Sequence, residues 1–131
     1  IRDRGGAAMK VRDVASSAVV AVGPAQSLRE AAQLMAKHRV GSAVVQDAEM
    51  LIGILTERDV LGAVAAANDP EAVSVEQIMT ADVVTVGPDW DLVEAARVMA
   101  RRRIRHLVVY EGGQLLGVLS VRDVLPAVLP E

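Results

Sequence analysis

Apolar and polar residues alternate along the chain in short blocks that fit strands and helices in turn. The run Val19–Val22 predicts a strand, and Pro24 ends it because proline cannot donate to a sheet. Ser27 is the predicted N-cap of a helix, since apolar residues then recur at helical spacing to about His38. Gly41 is expected to end this helix.

Two more apolar runs follow, Ala43–Val45 and Leu51–Leu55, with a short polar stretch between them. We expect these runs to pair as a hairpin. Thr56 then caps a second helix that reaches about Ala67, and Asn68–Pro70 breaks the chain. The predicted order is therefore strand, helix, strand, strand, helix.

The second half of the chain repeats the first. A shift of 64 residues aligns Val20–Leu61 with Val84–Leu125 without a gap, and 20 of the 42 aligned pairs are identical. Such a match indicates an internal duplication of one supersecondary unit. The predicted fold class is α/β, with two β-α-β-β-α repeats that are related by a pseudo-twofold axis and share a core, since neither half could bury enough surface alone.

The repeats set the predicted domain organisation. Residues 1–8 are polar and aperiodic, which predicts a tag or flexible tail, and the first repeat is assigned to residues 9–67. The second repeat is assigned to residues 68–131. Each repeat is preceded by a short lead-in segment, Met9–Ser16 in the first and Val75–Thr80 in the second, and the latter is predicted to be helical.

Each repeat ends in the same pattern, Gly53–Asp59 in the first and Gly117–Asp123 in the second. An apolar strand end is followed by a hydroxyl residue and, three positions later, an acid, which predicts a capped helix start. Free N–H groups and the helix dipole at such a start favour a phosphate, and the carboxylate can accept bonds from sugar hydroxyls. A single copy is more often plain capping, but the duplication favours a nucleotide site.

Composition removes several classes of function. The chain has no cysteine and only two histidines, so disulfides, thiolate metal sites and a His-rich metal site are excluded. A net charge of −3 argues against nucleic acid as the main partner. The apolar stretches are too short to span a membrane and no leader precedes them, which predicts a soluble, cytoplasmic protein. Its core must be built from small aliphatic residues and Met, because only 2% of residues are aromatic and there is no Phe.

Three motifs together resemble a known family, the tandem cystathionine-β-synthase (CBS) domain pair, also called a Bateman module. They are the stretch Val75–Asp89, the run Ile104–Val109, and the Gly-to-Asp pattern at the end of each repeat. The resemblance covers essentially Met9 to Leu125. It implies a non-enzymatic module that senses energy or metabolite state by binding AMP, ADP or ATP in a cleft between its repeats, with no required cofactor.

The resemblance also implies two symmetry-related sites, each made from both repeats. One would combine Thr56, Arg58 and Asp59 with Val83, Val84, Arg105 and His106. The other would combine Ser120, Arg122 and Asp123 with Val19, Val20, Gly41 and Ser42. The Asp59 site is predicted to be the tighter one, because Arg105 and His106 stand where the first repeat has Gly41 and Ser42.

Two features depart from the family pattern. Val44 and Val108 stand where family members often carry Pro within a strand, a change with no chemical consequence. Pro126 would remove a hydrogen bond from the last helix and is expected to shorten or kink it.

Other functions stay open at this point. The ligand could be another adenosyl compound, NAD or S-adenosylmethionine, or the sites could be empty in a pure dimerisation or interaction module. An enzyme is disfavoured because the sequence has no phosphate loop, nucleophile elbow or carboxylate–histidine metal cluster. Exposed apolar faces on the two end helices predict a homodimer with a four-helix contact. The faces consist of Val60, Leu61, Val64 and Ala65 in the first repeat and Val121, Val124, Leu125 and Val128 in the second. The effector protein that such a module would adjust is unknown.

Overall fold

The structure, a computed structural model, describes residues 9–66 and 68–129. These residues form two compact units. Unit A contains residues 19–66 and 68–83, and unit B combines residues 9–18 with 84–129. The predicted tag or tail at residues 1–8 lies outside the described residues.

Unit A is a three-stranded sheet with helices. Its elements are β1 (Ala21–Val22), α1 (Leu28–His38), β2 (Ser42–Asp47), β3 (Met50–Thr56), α2 (Glu57–Ala65) and α3 (Val75–Ile78). The sheet order is β1-β2-β3, with β1 parallel to β2 and β2 antiparallel to β3. Small aliphatic side chains and Met35 form its core, as the composition predicted.

Unit B has the same design. A 3-10 helix (Val11–Asp13) precedes β4 (Thr85–Val86), α4 (Leu92–Arg102), β5 (His106–Glu111), β6 (Gln114–Ser120) and α5 (Val121–Val128). The sheet order is β4-β5-β6, again with one parallel and one antiparallel pair. The predicted α/β class and the two β-α-β-β-α repeats are confirmed.

One predicted boundary and one predicted terminating residue in unit A differ from the structure. The first strand is shorter than Val19–Val22, because only Ala21 and Val22 pair with β2. Helix α1 ends at His38 as predicted, but the residue that ends it is Arg39 and not Gly41, since Arg39 adopts the left-handed conformation (φ 56°) and its N–H caps the last turn.

Helix α5 runs from Val121 to Val128 with Pro126 inside it, and the expected kink stays a prediction. One residue of this helix differs from expectation. Val124, placed by sequence on an exposed apolar face, is buried in the core of unit B.

Each unit also contains the lead-in segment of the other repeat. In unit A, Thr80 pairs with Ile54 of β3 through two backbone hydrogen bonds of 2.8 and 2.9 Å. In unit B, Ser16 pairs with Val118 of β6 in the same way, at 2.9 and 3.0 Å. Gly53 and Gly117 stand beside these crossings, where a Cβ would meet the Met79 side chain at Gly53 and the Ser16 carbonyl oxygen at Gly117.

Candidate functional site

The repeated strand-to-helix junctions are built as the sequence predicted. We call Thr56–Asp59 end A and Ser120–Asp123 end B. At end A, Asp59 Oδ2 accepts hydrogen bonds from the backbone N of Thr56 (2.9 Å) and from its Oγ1 (3.1 Å). The Thr56 hydroxyl in turn accepts from the Asp59 N–H at 3.3 Å. The result is a reciprocal capping box in which both side chains are half-buried.

End B repeats this arrangement. Asp123 Oδ2 accepts from the backbone N of Ser120 (3.2 Å) and from its Oγ (3.0 Å), and the Asp123 N–H donates to the Ser120 hydroxyl at 3.2 Å. In both ends the cap uses only the Oδ2 atom of the carboxylate. The second oxygen, Oδ1, is left for other donors.

The first turns of α2 and α5 offer fewer free N–H groups than the sequence suggested. The N–H of Glu57 donates to the carbonyl of Gly41 at 3.0 Å, and the N–H of Val121 donates to the carbonyl of Arg105 at 2.9 Å. The N–H groups of Asp59 and Asp123 donate to the capping hydroxyls. Two of the first three amides at each helix start are therefore engaged. A phosphate at these ends would depend more on side chains than on the helix backbone.

The starts of β2 and β5 lie next to these ends within their own units. Ser42 pairs with Thr56 across the sheet of unit A, and Ser42 is buried. His106 pairs with Ser120 across the sheet of unit B, and Arg105 precedes it with an exposed side chain. The sequence had grouped each of these pairs with the acid of the other repeat, and that grouping stays a prediction.

The valines assigned to the adenine lie at the strands that open each sheet. Val19, Val20 and Val83 belong to unit A and Val84 belongs to unit B, and all four are half-buried. The carbonyl of Val20 accepts from β2 at 2.9 Å, and the carbonyl of Val84 accepts from β5 at 3.1 Å. The two equivalent valines are thus fixed by the same parallel pairing.

Thr80 is a neighbour of end A that sequence reasoning missed. Its hydroxyl donates to Asp59 Oδ1 at 3.2 Å, although the two residues are 21 positions apart. A signal was present in the repeat, because the 64-residue shift aligns Thr80 with Ser16 and so places a hydroxyl residue at the same position in both lead-in segments.

Charge at the two ends is unequal. Arg58 and Arg122 are exposed and occupy the same position in the first turns of α2 and α5. Arg105 and His106 add cationic or potentially cationic groups to unit B, whereas unit A has Gly41 and Ser42 at the matching places.

No group of three metal-ligating side chains is found within residues 9–66 and 68–129. Over the same residues, no helix combines the length and apolar character needed to cross a membrane.

Comparison with known proteins identifies the family. The family model for the CBS domain matches the chain twice, at residues 11–66 and 75–130. A crystal structure of a CBS-domain containing protein from Agrobacterium tumefaciens is 35% identical, with a TM-score of 0.85, and the match covers 92% of this chain and all of that one. The CBS domain-containing protein YhcV of Bacillus subtilis is 32% identical over 113 residues, which are 86% of this chain and 81% of YhcV.

One similar structure contains a nucleotide. A CBS domain protein from Pyrobaculum aerophilum, complexed with AMP, is 33% identical with a TM-score of 0.80. The match covers 88% of this chain and 89% of that protein. From the two family-model matches and the shared fold, we conclude that the chain belongs to the CBS-domain family and carries a tandem pair of CBS domains.

Proposed function

We propose that this CBS pair is a non-enzymatic regulatory module that binds an adenine nucleotide, AMP first and ATP second, at ends A and B. The observation that carries the proposal is the AMP bound to the similar Pyrobaculum aerophilum protein. Because a shared fold does not by itself fix a ligand, the chemistry of the two ends has to support the same conclusion.

The ribose is assigned to the carboxylates of Asp59 and Asp123. An ionised carboxylate only accepts hydrogen bonds, and its two oxygens offer about four lone-pair positions. The helix cap uses the positions on Oδ2. Neighbouring sugar hydroxyls are donors that suit the remaining oxygen, and bonds to a charged acceptor are stronger than neutral ones.

The phosphate is assigned mainly to arginine side chains. Since two of the first three amides at each helix start are engaged, Arg58 and Arg122 supply the positive charge that the backbone supplies only in part. A guanidinium group matches the geometry of phosphate oxygens and is always charged. The hydroxyls of Thr56 and Ser120 are further candidate donors, and Arg105 and His106 strengthen the positive field in unit B.

The adenine is assigned to short apolar side chains and strand backbone. Val19, Val20, Val83 and Val84 are half-buried, so their exposed faces can contact a purine ring. Gly41 and Ser42 supply a small residue and a hydroxyl at the start of β2. The apolar side chains can recognise the ring by shape and the strand backbone can read its edge, so adenine is distinguished from guanine here, and AMP, ADP and ATP are distinguished at the phosphates.

A thermal-shift screen tests the proposal against its alternatives. A ligand at 100 times its Kd stabilises a folded protein by about 2.7 kcal/mol, which raises the Tm of a chain of this size by several degrees. We expect such a rise with AMP and a smaller one with GMP as the matched control. A rise with only NAD or S-adenosylmethionine would change the ligand, and no rise with any adenosyl compound would favour a pure interaction module.

We also propose that the module is a homodimer. Leu61 and Val64 on α2 are 70% and 54% exposed, and Leu125 on α5 and Leu129 just after it are 46% and 58% exposed. Apolar faces of this kind are typical of self-association surfaces. Ligand occupancy would then be passed to an effector protein.

A further inference from the structure

Ends A and B differ in whether a side chain of the lead-in segment donates a hydrogen bond to the Oδ1 atom of the aspartate. At end A, Thr80 Oγ1 lies 3.2 Å from Asp59 Oδ1 and 3.4 Å from Oδ2, within hydrogen-bond distance of both. Oδ2 also takes the two capping bonds from Thr56. Both carboxylate oxygens of Asp59 are therefore engaged before any ligand arrives.

The equivalent residue at end B does something else. Ser16 is paired with β6 by the same two backbone bonds that pair Thr80 with β3. Its hydroxyl, however, accepts a hydrogen bond from the N–H of Ala18 at 3.2 Å. Among the described residues, Asp123 Oδ1 accepts no hydrogen bond from Ser16. The backbones of the two lead-in segments match, and the difference lies in the side chains.

We infer that Thr80 competes with the ligand for Asp59, so that end A binds sugar hydroxyls more weakly than end B. Because the backbone of Thr80 is fixed by two hydrogen bonds to Ile54, its hydroxyl is presented to Asp59 with little further loss of freedom. A ribose hydroxyl has to replace this bond or share the same oxygen. The inference rests on the proposed function and names a residue that sets the affinity of one of its sites.

This ranking differs from the one that the sequence suggested, which grouped Arg105 and His106 with Asp59 and which stays a prediction. Within unit B, the backbone of both residues lies beside Ser120. The further inference rests on the Thr80 contact at end A, which end B lacks from Ser16. A module with unequal ends would respond to its nucleotide over a wider range of concentration than one with equal ends.

Calorimetry with AMP tests the inference in an Asp123→Asn background, where end A is the site that keeps its carboxylate. We expect Thr80→Val, which keeps the shape but cannot donate, to tighten AMP binding by roughly 3- to 10-fold, the range of one net hydrogen bond. Thr80→Ser keeps the hydroxyl and should bind as the background does. Ser16→Ala is the matched control at the other lead-in segment and should also change nothing.

The outcomes separate the two proposals. If the parent binds AMP but Thr80→Val binds it no more tightly than the Asp123→Asn background does, this inference is wrong and the proposed function stands. The same conclusion follows if the Asp123→Asn background has lost AMP binding and Thr80→Val does not restore it. If the parent itself binds neither AMP nor ATP, the proposed nucleotide function is wrong and the inference falls with it.

Discussion

The two glycines beside the lead-in crossings give a sharp prediction, because the same substitution meets different atoms in each unit. A Cβ at Gly117 would overlap the backbone carbonyl oxygen of Ser16, deep inside van der Waals contact. A Cβ at Gly53 would lie 2.5 Å from the sulfur of Met79 and 3.1 Å from the carbonyl oxygen of Thr80. A thioether can rotate away, whereas a paired backbone cannot.

The structure gives the size of the difference. Relief of the clash in Gly117→Ala requires the segment at Ser16 to leave β6, which breaks its two hydrogen bonds to Val118. Two bonds at about 0.5–1.5 kcal/mol each sum to about 1–3 kcal/mol, which is also the typical range for overpacking, so we expect a loss of about 2 kcal/mol. Gly53→Ala needs a new Met79 rotamer and a small shift, which costs about 1 kcal/mol.

Urea unfolding followed by circular dichroism measures both changes. Gly62→Ala on the exposed face of α2 is the control, because a Cβ there meets no atom within 4 Å and alanine should stabilise the helix by about 0.5–1 kcal/mol. Equal losses of stability in Gly53→Ala and Gly117→Ala would contradict this prediction, and so would a Gly117→Ala variant that unfolds at the same urea concentration as the parent.

Two further predictions concern the hairpin turn and the apolar faces. Glu49→Gly should raise the free energy of unfolding, measured in urea, by about 0.5–1 kcal/mol. The reason is that Glu49 has a left-handed φ of 69°, whereas the equivalent residue of the second repeat is Gly113, with a φ of 78°. No gain in stability would show that the turn is unstrained. Leu61→Asp combined with Leu125→Asp should convert a dimer to a monomer in light scattering while the circular dichroism stays unchanged; a parent that is already monomeric would contradict the proposed homodimer.

Local patterns predicted the secondary structure because local physics decides it. Ser27, Thr56 and Ser120 each cap the helix that the sequence assigned to them, and each is paired with the acid three positions later. The antiparallel strand pairs follow from apolar runs with a short turn between them. Because the two repeats align without a gap, the strands and helices predicted for one repeat could also be predicted for the other.

Contacts made across long stretches of chain could not be predicted in this way. The bond from Thr80 to Asp59 and the pairing of Ser16 with Val118 depend on where the lead-in segments cross the sheets, which no periodicity encodes. The short first strand has the same cause, since its length is set by pairing with β2. The end of α1 at His38 was predicted, but the terminating residue was not, because Arg39 adopts a left-handed conformation that glycine usually adopts.

Calorimetric titration with AMP of the parent and of the variant carrying both Asp59→Asn and Asp123→Asn tests the central claim most directly. Asparagine keeps a side-chain oxygen for the helix cap but loses the charge, so we expect an unchanged fold by circular dichroism and a loss of about 1–3 kcal/mol in binding at each end. If the double variant binds AMP as tightly as the parent, the two carboxylates are helix caps only and the proposed ribose sites are wrong.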